Sequence, residues 1–399
     1  SWLGSDMNQK STVSTPAAVN ADMTWEKIRT LDFGFDAGFL NNELNVTFDW
    51  YLRRNVGMLV SGNEIIRYVG IASAPLENGG DLKTTGWELQ IDYNHAFNKD
   101  FAVYGTFTLA DSKSEITKWN NTTGALQGWY EGKQLGEIWG FETDRYFNSS
   151  ELNSDGTLKE GIPDQSYIQT GSFRFGAGDV KFKDIDGSGK IDTGKGTIDD
   201  HGDLKRIGNA LPRYEYSLRL GAMFKGFDFE VLFQGVGKRD MWTTSSLFIP
   251  HAAGAQMNIF ENQLDYWTEN NQNARFPRPY INSAFGSLSG LPSNSGINNF
   301  VPQTKYLNNL AYLRVKNLTV GYTIPQNLTQ KVSVEKLRIY FSAQNLLTFD
   351  HIDGVMDPES TGGWSSGLNV DSLSGVDTRY AGRSMPFNRQ WSCGVQITF

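Results

Sequence analysis

Apolar and polar side chains alternate one for one along long stretches of this chain. Phe33, Phe35, Ala37 and Phe39 alternate with Gly34, Asp36 and Gly38. After Asn41-Asn42-Glu43, the residues Leu44, Val46, Phe48 and Trp50 alternate with Asn45, Thr47 and Asp49. Trp87, Leu89, Ile91, Tyr93 and Phe97 oppose Glu88, Gln90, Asp92 and Asn94; past Asn98-Lys99-Asp100 come Phe101, Val103, Gly105, Phe107 and Leu109. Tyr214, Tyr216, Leu218, Leu220, Ala222 and Phe224 oppose Arg213, Glu215, Ser217 and Arg219. Gly226 then turns the chain into Phe227, Phe229, Val231 and Phe233, opposed by Asp228, Glu230 and Gln234. Leu337, Ile339, Phe341 and Ala343 oppose Arg338, Ser342 and Gln344, and the closing Trp391, Cys393, Val395, Ile397 and Phe399 oppose Ser392, Gly394, Gln396 and Thr398. A period of two sends the two sets to opposite faces of a strand. Leu313 to Tyr322 reads the same way, with a slip of phase near Asn317-Leu318 that predicts a bulge. The pattern predicts nine strands.

The connections alternate in length. Short turns follow Phe39, Phe97 and Phe224, and a moderate one runs from Ile324 to Lys336. Long excursions lie between them, over about 56–82, 113–212, 238–309 and 348–388. Short turns at one rim and long loops at the other are the layout of an outer-membrane barrel, and a final strand that is apolar on one face and ends in Phe399 suits its closing position. A soluble sandwich also alternates, yet seldom carries several loops of this length at one end. Trp50-Tyr51, Trp87, Tyr214, Tyr216, Phe224, Phe227, Tyr322 and Trp391 fall near strand ends, where an interfacial girdle belongs. The expected fold is therefore an all-β transmembrane antiparallel barrel. Counting strands up and down puts Phe399 at the periplasmic rim and residues 1–26 in an outer loop. The apolar stretch 135–147 must then add an even number of strands or sit inside its loop.

Composition narrows this without changing it. With 39% hydrophobic residues, and no apolar run of the about 18 residues a spanning helix needs, a helical membrane protein is excluded. Glycine (42 residues) and aromatics (13%) are abundant, as turn-rich sheet requires. The net charge of −8, with no basic stripe, argues against nucleic acid. The single Cys393 has no disulfide partner, and four scattered histidines give no zinc pattern. Ser1-Trp2-Leu3-Gly4-Ser5 has none of the regions of a signal peptide, so a chain destined for the outer membrane is expected not to be a whole precursor.

Several stretches then resemble a known family. They are Trp25-Glu26-Lys27 leading to Leu31-Asp32-Phe33-Gly34-Phe35-Asp36, Phe39-Leu40-Asn41-Asn42-Glu43-Leu44, Asp49-Trp50-Tyr51 and Thr85-Gly86-Trp87-Glu88-Leu89. Further along come Gly178-Asp179-Val180-Lys181-Phe182, Ile207-Gly208-Asn209 with Pro212-Arg213-Tyr214, Tyr266-Trp267-Thr268-Glu269-Asn270, Gln344-Asn345-Leu346-Leu347-Thr348-Phe349 and the closing strand. In this order they resemble the SusC-like family, TonB-dependent transporters in the outer membrane of Bacteroidota-type bacteria. The resemblance implies the C-terminal part of a large plugged barrel of about 22 strands. The plug, the TonB-binding segment and the N-terminal barrel half would lie outside this chain, in the remaining part of the same transporter. It also implies energised import of oligomeric nutrients, oligosaccharides first and oligopeptides second, with a SusD-like surface lipoprotein as lid and the TonB complex as motor. A passive porin-like channel and a soluble carbohydrate-binding β protein stand as alternatives.

Candidate chemistry is sparse, and no catalytic residue is expected. Asp184, Asp186, Ser188, Lys190 (by its carbonyl) and Asp192 follow the spacing of a calcium loop, with Gly189 at the sixth position. The twelfth position, ordinarily Glu, is Lys195, so Asp199, Asp200 or Asp203 would have to complete the shell. Such an ion would be structural; the bland reading is a solvated Asx turn. The pair Asp199-Asp200 suggests glycoside hydrolysis only weakly, because nothing fixes its separation, and His95 reads as a rim residue. Trp119, Trp129, Trp139, Trp242, Trp267 and Trp364, with Arg275 and Arg278, are candidate ligand or partner contacts, since exposed aromatics suit a sugar face or an interface. Gln90, Asp92, Arg213, Arg219, Asp228, Glu230, Arg338 and Gln344 are expected to line a wet lumen.

Overall fold

A computed structural model describes residues 19–61, 75–169, 173–250, 259–280, 297–352, 354–360 and 385–399. Nine strands form one antiparallel sheet: β1 (Lys27–Phe39), β2 (Leu44–Ser61), β3 (Leu76–Asn98), β4 (Phe101–Lys118), β9 (Arg213–Phe224), β10 (Phe227–Lys238), β13 (Tyr312–Thr323), β14 (Lys336–Phe349) and β15 (Gln390–Thr398). Each is hydrogen-bonded to the next in chain order, with β1 and β15 at the two edges. The intervening β5 (Glu137–Phe141), β6 (Thr143–Tyr146), β7 (Val180–Phe182), β8 (Leu204–Asn209), β11 (Asp240–Met241) and β12 (Asn308–Asn309) pair only among themselves, as β5 with β8, β6 with β7 and β11 with β12. The stretch 135–147 thus sits inside its loop.

The short turns gather at one end. Leu40, Asn41 and Asn42 all take left-handed conformations, and Lys225-Gly226 (φ 47° and 89°) closes β9 onto β10 as the tight hairpin turn that matches strand twist. The predicted bulge is present: Lys316 has no partner in either neighbouring register, where the ladders step from Val315 to Asn317. Two loop boundaries need correction. β2 continues to Ser61 and β3 starts at Leu76, so the strands run into both ends of the excursion expected over 56–82; β4 likewise runs to Lys118, past the expected start at 113. Backbone pairing outlasts the apolar alternation because hydrogen bonds need no buried face, whereas the apolar pattern ends where lipid does.

The sheet buries little of its apolar face. Phe33 is 62% exposed, Trp391 60% and Val395 61%, and Leu31, Phe35, Phe39, Leu220, Phe227, Phe229, Val320, Ile339 and Ile397 are exposed beside them. A contiguous apolar surface of this extent belongs against another apolar phase, and on a sheet with a polar opposite face that phase is the bilayer. Aromatic rings cluster at the short-turn rim, where Phe97 stacks on Phe101 (4.8 Å) and Phe227 meets Tyr322 (4.5 Å). Tyr51 leaves the expected girdle: it lies on the inner face over Gly86, whose absent side chain makes room for the ring.

The buried core is elsewhere. Phe147, Phe173, Phe182, Ile191, Trp242, Ile249, Phe276, Leu310 and Ile352, each under 4% exposed, all belong to the excursions 119–212, 239–311 and 350–360. The described parts of these excursions pack together as a folded cap at the long-loop end of the sheet.

Candidate functional site

The inner face of the wall is a polar network. Arg219 donates to Glu230 (2.5 Å), which also accepts from the Tyr104 hydroxyl (2.9 Å). Arg338 donates through Nε to Asp228 (2.9 Å), and Asp92 accepts from Thr106 (2.7 Å) and Gln90 (2.6 Å). Thr108 bonds Ser217, and Thr319 bonds Ser342, across neighbouring strands. Tyr104 covers Gly221 and Tyr340 covers Gly394; a Cβ at either glycine would meet the ring at 2.1 or 2.3 Å. The rings therefore lie flat along the wall. Gln90, Asp92, Arg219, Asp228, Glu230, Arg338 and Gln344 all stand on this face by strand alternation. Arg213 does not. Left-handed Tyr214 (φ 56°) breaks the alternation beside it, and the Arg213 guanidinium binds Asp111, which shares its row with Phe107 and Leu109 on the outward face.

The loop aromatics divide. Trp242 and Trp267 are buried, Trp267 against Gly178, so these two belong to the core of the cap and their reading as free contacts is corrected. The Trp139 indole donates to Glu137 (2.8 Å) and is half-buried. Trp119 and Trp129 pair at 5.7 Å and keep exposed surface. Trp364 lies outside the described residues. Arg278 is a structural residue: it reaches Asp179 (3.3 Å) and Tyr280 (2.7 Å). The Arg275 carbonyl accepts from both Tyr146 (2.7 Å) and Tyr306 (3.1 Å).

Asp179, fully buried, is the polar centre of the cap. Its carboxylate accepts from the Gly176 amide (2.8 Å), the Tyr280 hydroxyl (2.6 Å) and the Asn299 amide (2.9 Å), besides Arg278. Burial pushes its pKa up, and these donors draw it back. Buried Gln165 acts as a surrogate strand beside β7, accepting from Phe182 N–H (2.7 Å) and donating to the Val180 carbonyl (3.1 Å). Glu151 accepts from Arg145 (2.6 and 2.8 Å), Lys181 (2.7 Å) and the Asn148 amide (2.9 Å), and the Arg145 bond leads the causes that hold its carboxyl down to about 2.

A latch ties cap to wall. Arg314 of β13, 2% exposed, donates to Thr348 (3.0 Å) and Asp357 (2.8 Å), while Lys316 donates to Glu359 (2.8 Å). Residues forty apart in sequence meet here, and no local pattern announces it.

The acidic loop is compact. Asp184 accepts the amides of Gly187 (2.8 Å) and Gly189 (2.8 Å), and Asp186 accepts that of Ser188 (2.8 Å). Oxygens of Asp184, Asp186 and Asp203 lie within 4.8 Å of one another. Of Asp199, Asp200 and Asp203, only Asp203 lies in this cluster; Asp199 is exposed, and Asp200 faces Lys195 at 3.3 Å. Asp203 is buried, which raises its pKa, and its oxygens accept the amides of Ile185 (2.6 Å) and Asp192 (3.0 Å).

Known proteins share this plan. The chain is 24% identical over 393 residues to TonB-dependent receptor P3 of Formosa agariphila, which covers 95% of the chain and 35% of that protein. It is 25% identical over 390 residues to TonB-dependent receptor SusC of Bacteroides thetaiotaomicron, covering 94% and 33% respectively. The solved RagAB peptide transporter superposes over 97% of the chain and 37% of its own with a TM-score of 0.61 at 23% identity, and shares its fold. The chain is SusC-like. It spans about a third of the curated relatives it matches, and no family model matches it. The SusC-like wall is part of a bacterial outer-membrane β-barrel, with its exposed apolar face toward lipid and its ion-paired face inward.

Proposed function

We propose that this chain is the C-terminal part of the barrel of a TonB-dependent importer of oligomeric nutrients, working beneath a SusD-like lipoprotein lid. One observation carries the reading: a nine-stranded wall with an apolar outer face and a hydrated, charged inner face, capped at one end by large folded loops. Such a wall passes polar cargo, and the cap offers a surface to a lid. Oligosaccharide is the first cargo. Oligopeptide is the second, favoured by the likeness to a transporter named for peptides. The test is to isolate the full-length protein from outer membranes in mild detergent and identify what co-purifies. A plug-bearing chain with a SusD-like lipoprotein supports the importer; a plugless chain that conducts ions in planar bilayers supports a passive channel instead.

The 184–203 loop is proposed to hold one structural calcium ion between Asp184, Asp186 and Asp203, with Ser188 and the Lys190 carbonyl completing the alternate-oxygen pattern. Hard carboxylate oxygens around a glycine turn suit calcium. Chelation should then expose the loop to protease in the natural protein, and in Asp186→Ala without chelator. Equal cleavage in all four conditions would remove the metal.

A further inference from the structure

Beyond its apolar band the outward face carries a cationic row. Arg29 of β1 lies directly opposite Arg54 of β2, and Arg54 directly opposite Lys83 of β3. All three share the face of Phe33, Trp50 and Trp87, which form their own register row four residues nearer the short turns. That offset is about 13 Å along the strands. Between the two rows lie Leu31, Leu52 and Thr85, a row that β4 continues with Lys113. The cationic row thus stands just beyond the apolar band and its aromatic rim, on the side of the long loops.

Like charges directly opposite on neighbouring strands destabilise a sheet, and of this row only Lys83 has a carboxylate, Glu115, in register with it. Among the described residues Arg29, Arg54 and Lys83 make no ion pair, unlike the inner-face arginines. Glu115, in register with Lys83, approaches Lys113 instead (4.0 Å). Glu26 and Asp81 are engaged with the backbone amides of Leu59 and Gly57. An anion shared by the row would remove the repulsion, and it must sit at headgroup depth with apolar chains below it, against Phe33, Trp50 and Trp87. We infer that Arg29, Arg54 and Lys83 form a binding site for the phosphate of a phosphorylated, acylated glycolipid of the outer leaflet. Two forked guanidiniums and one ammonium suit a tetrahedral oxyanion, and the aromatic row beneath suits acyl chains. The inference rests on the outer-membrane reading with the long loops outside.

The full-length protein, purified in mild detergent and stripped of lipid, is titrated with diphosphoryl lipid A, with the same glycolipid dephosphorylated, and with inorganic phosphate. Adducts are counted by native mass spectrometry. The phosphorylated glycolipid is expected to bind, and the R29Q/R54Q/K83Q variant to hold it roughly a hundredfold more weakly. R29K/R54K should retain it, and K99Q/K225Q, which removes two cations from the opposite rim, should leave it unchanged. Equal binding of the dephosphorylated glycolipid, displacement by inorganic phosphate, or undiminished binding by the triple glutamine variant overturns the site. Orientation is read separately, by labelling Asp155→Cys in a Cys393→Ser background on intact cells with an impermeant maleimide. Labelling supports the outer leaflet. No labelling overturns the leaflet assignment even where the row still binds phosphate.

Discussion

Wall and cap are built on opposite rules from one chain. In the wall, large apolar side chains such as Phe33, Val395 and Trp391 are exposed, and ion pairs such as Arg219–Glu230 line the other face. In the cap, the apolar side chains are buried and one carboxylate, Asp179, is enclosed with its donors. The wall needs no core of its own because lipid is its apolar phase, and its backbone is satisfied strand to strand. The cap faces water and must bury its aromatics as any soluble domain does. Stability of the two parts is therefore expected to respond to different substitutions.

The largest effect should come from the cap. Asp179→Ala leaves Tyr280 and Asn299 without their acceptor and Arg278 with the Tyr280 hydroxyl alone, and should cost the cap about 3–5 kcal/mol. Protease cleavage within 119–212 should rise while the heat-modifiable mobility of the barrel stays unchanged; loss of both would mean that wall and cap unfold as one. Next comes the wall. Val395→Lys should cost about 2–4 kcal/mol if it faces mid-bilayer, and Gln396→Lys, one residue on and inward, much less; refolding into vesicles under urea compares them, and equal costs would break the assignment of faces.

The acid dependence of the cap should be intermediate. The Glu151 carboxyl ordinarily titrates near 4.5 and is held to about 2 in the fold. Its contribution is complete above the first value and disappears as pH falls through the second, about 1–3 kcal/mol in all. Loop protection measured by hydrogen exchange should fall over that window, and less so in Glu151→Gln, which has already lost the charge. Comparable in size is Gly221→Ala, whose Cβ would meet the Tyr104 ring; moving the ring should cost about 1–3 kcal/mol and disturb the Glu230 bond, without effect on the cap.

The wall was legible because its determinants are local. A two-residue period places Gln90, Asp92, Arg219, Asp228, Glu230, Arg338 and Gln344 on one face whatever the rest of the chain does, and Lys225-Gly226 or Asn41-Asn42 fixes a turn within its own residues. Even the bulge at Lys316 shows as a slip of phase. Arg213 escaped the rule because one left-handed residue, Tyr214, reverses the alternation, and sequence periodicity carries no record of φ.

The cap is the reverse case. Trp242 and Trp267 looked like free aromatics in polar loops, yet both are core, since burial there is decided by segments a hundred residues apart closing over them. Asp203 completes the acidic cluster in place of Asp199 or Asp200 only because the chain folds back beyond Gly202. Strand faces, turns and the membrane-facing pattern are properties of neighbouring residues, so the sequence alone determined them. The enclosed Asp179, the Arg314–Asp357 latch and the core of the cap are properties of proximity between distant segments, and only the tertiary structure decided them.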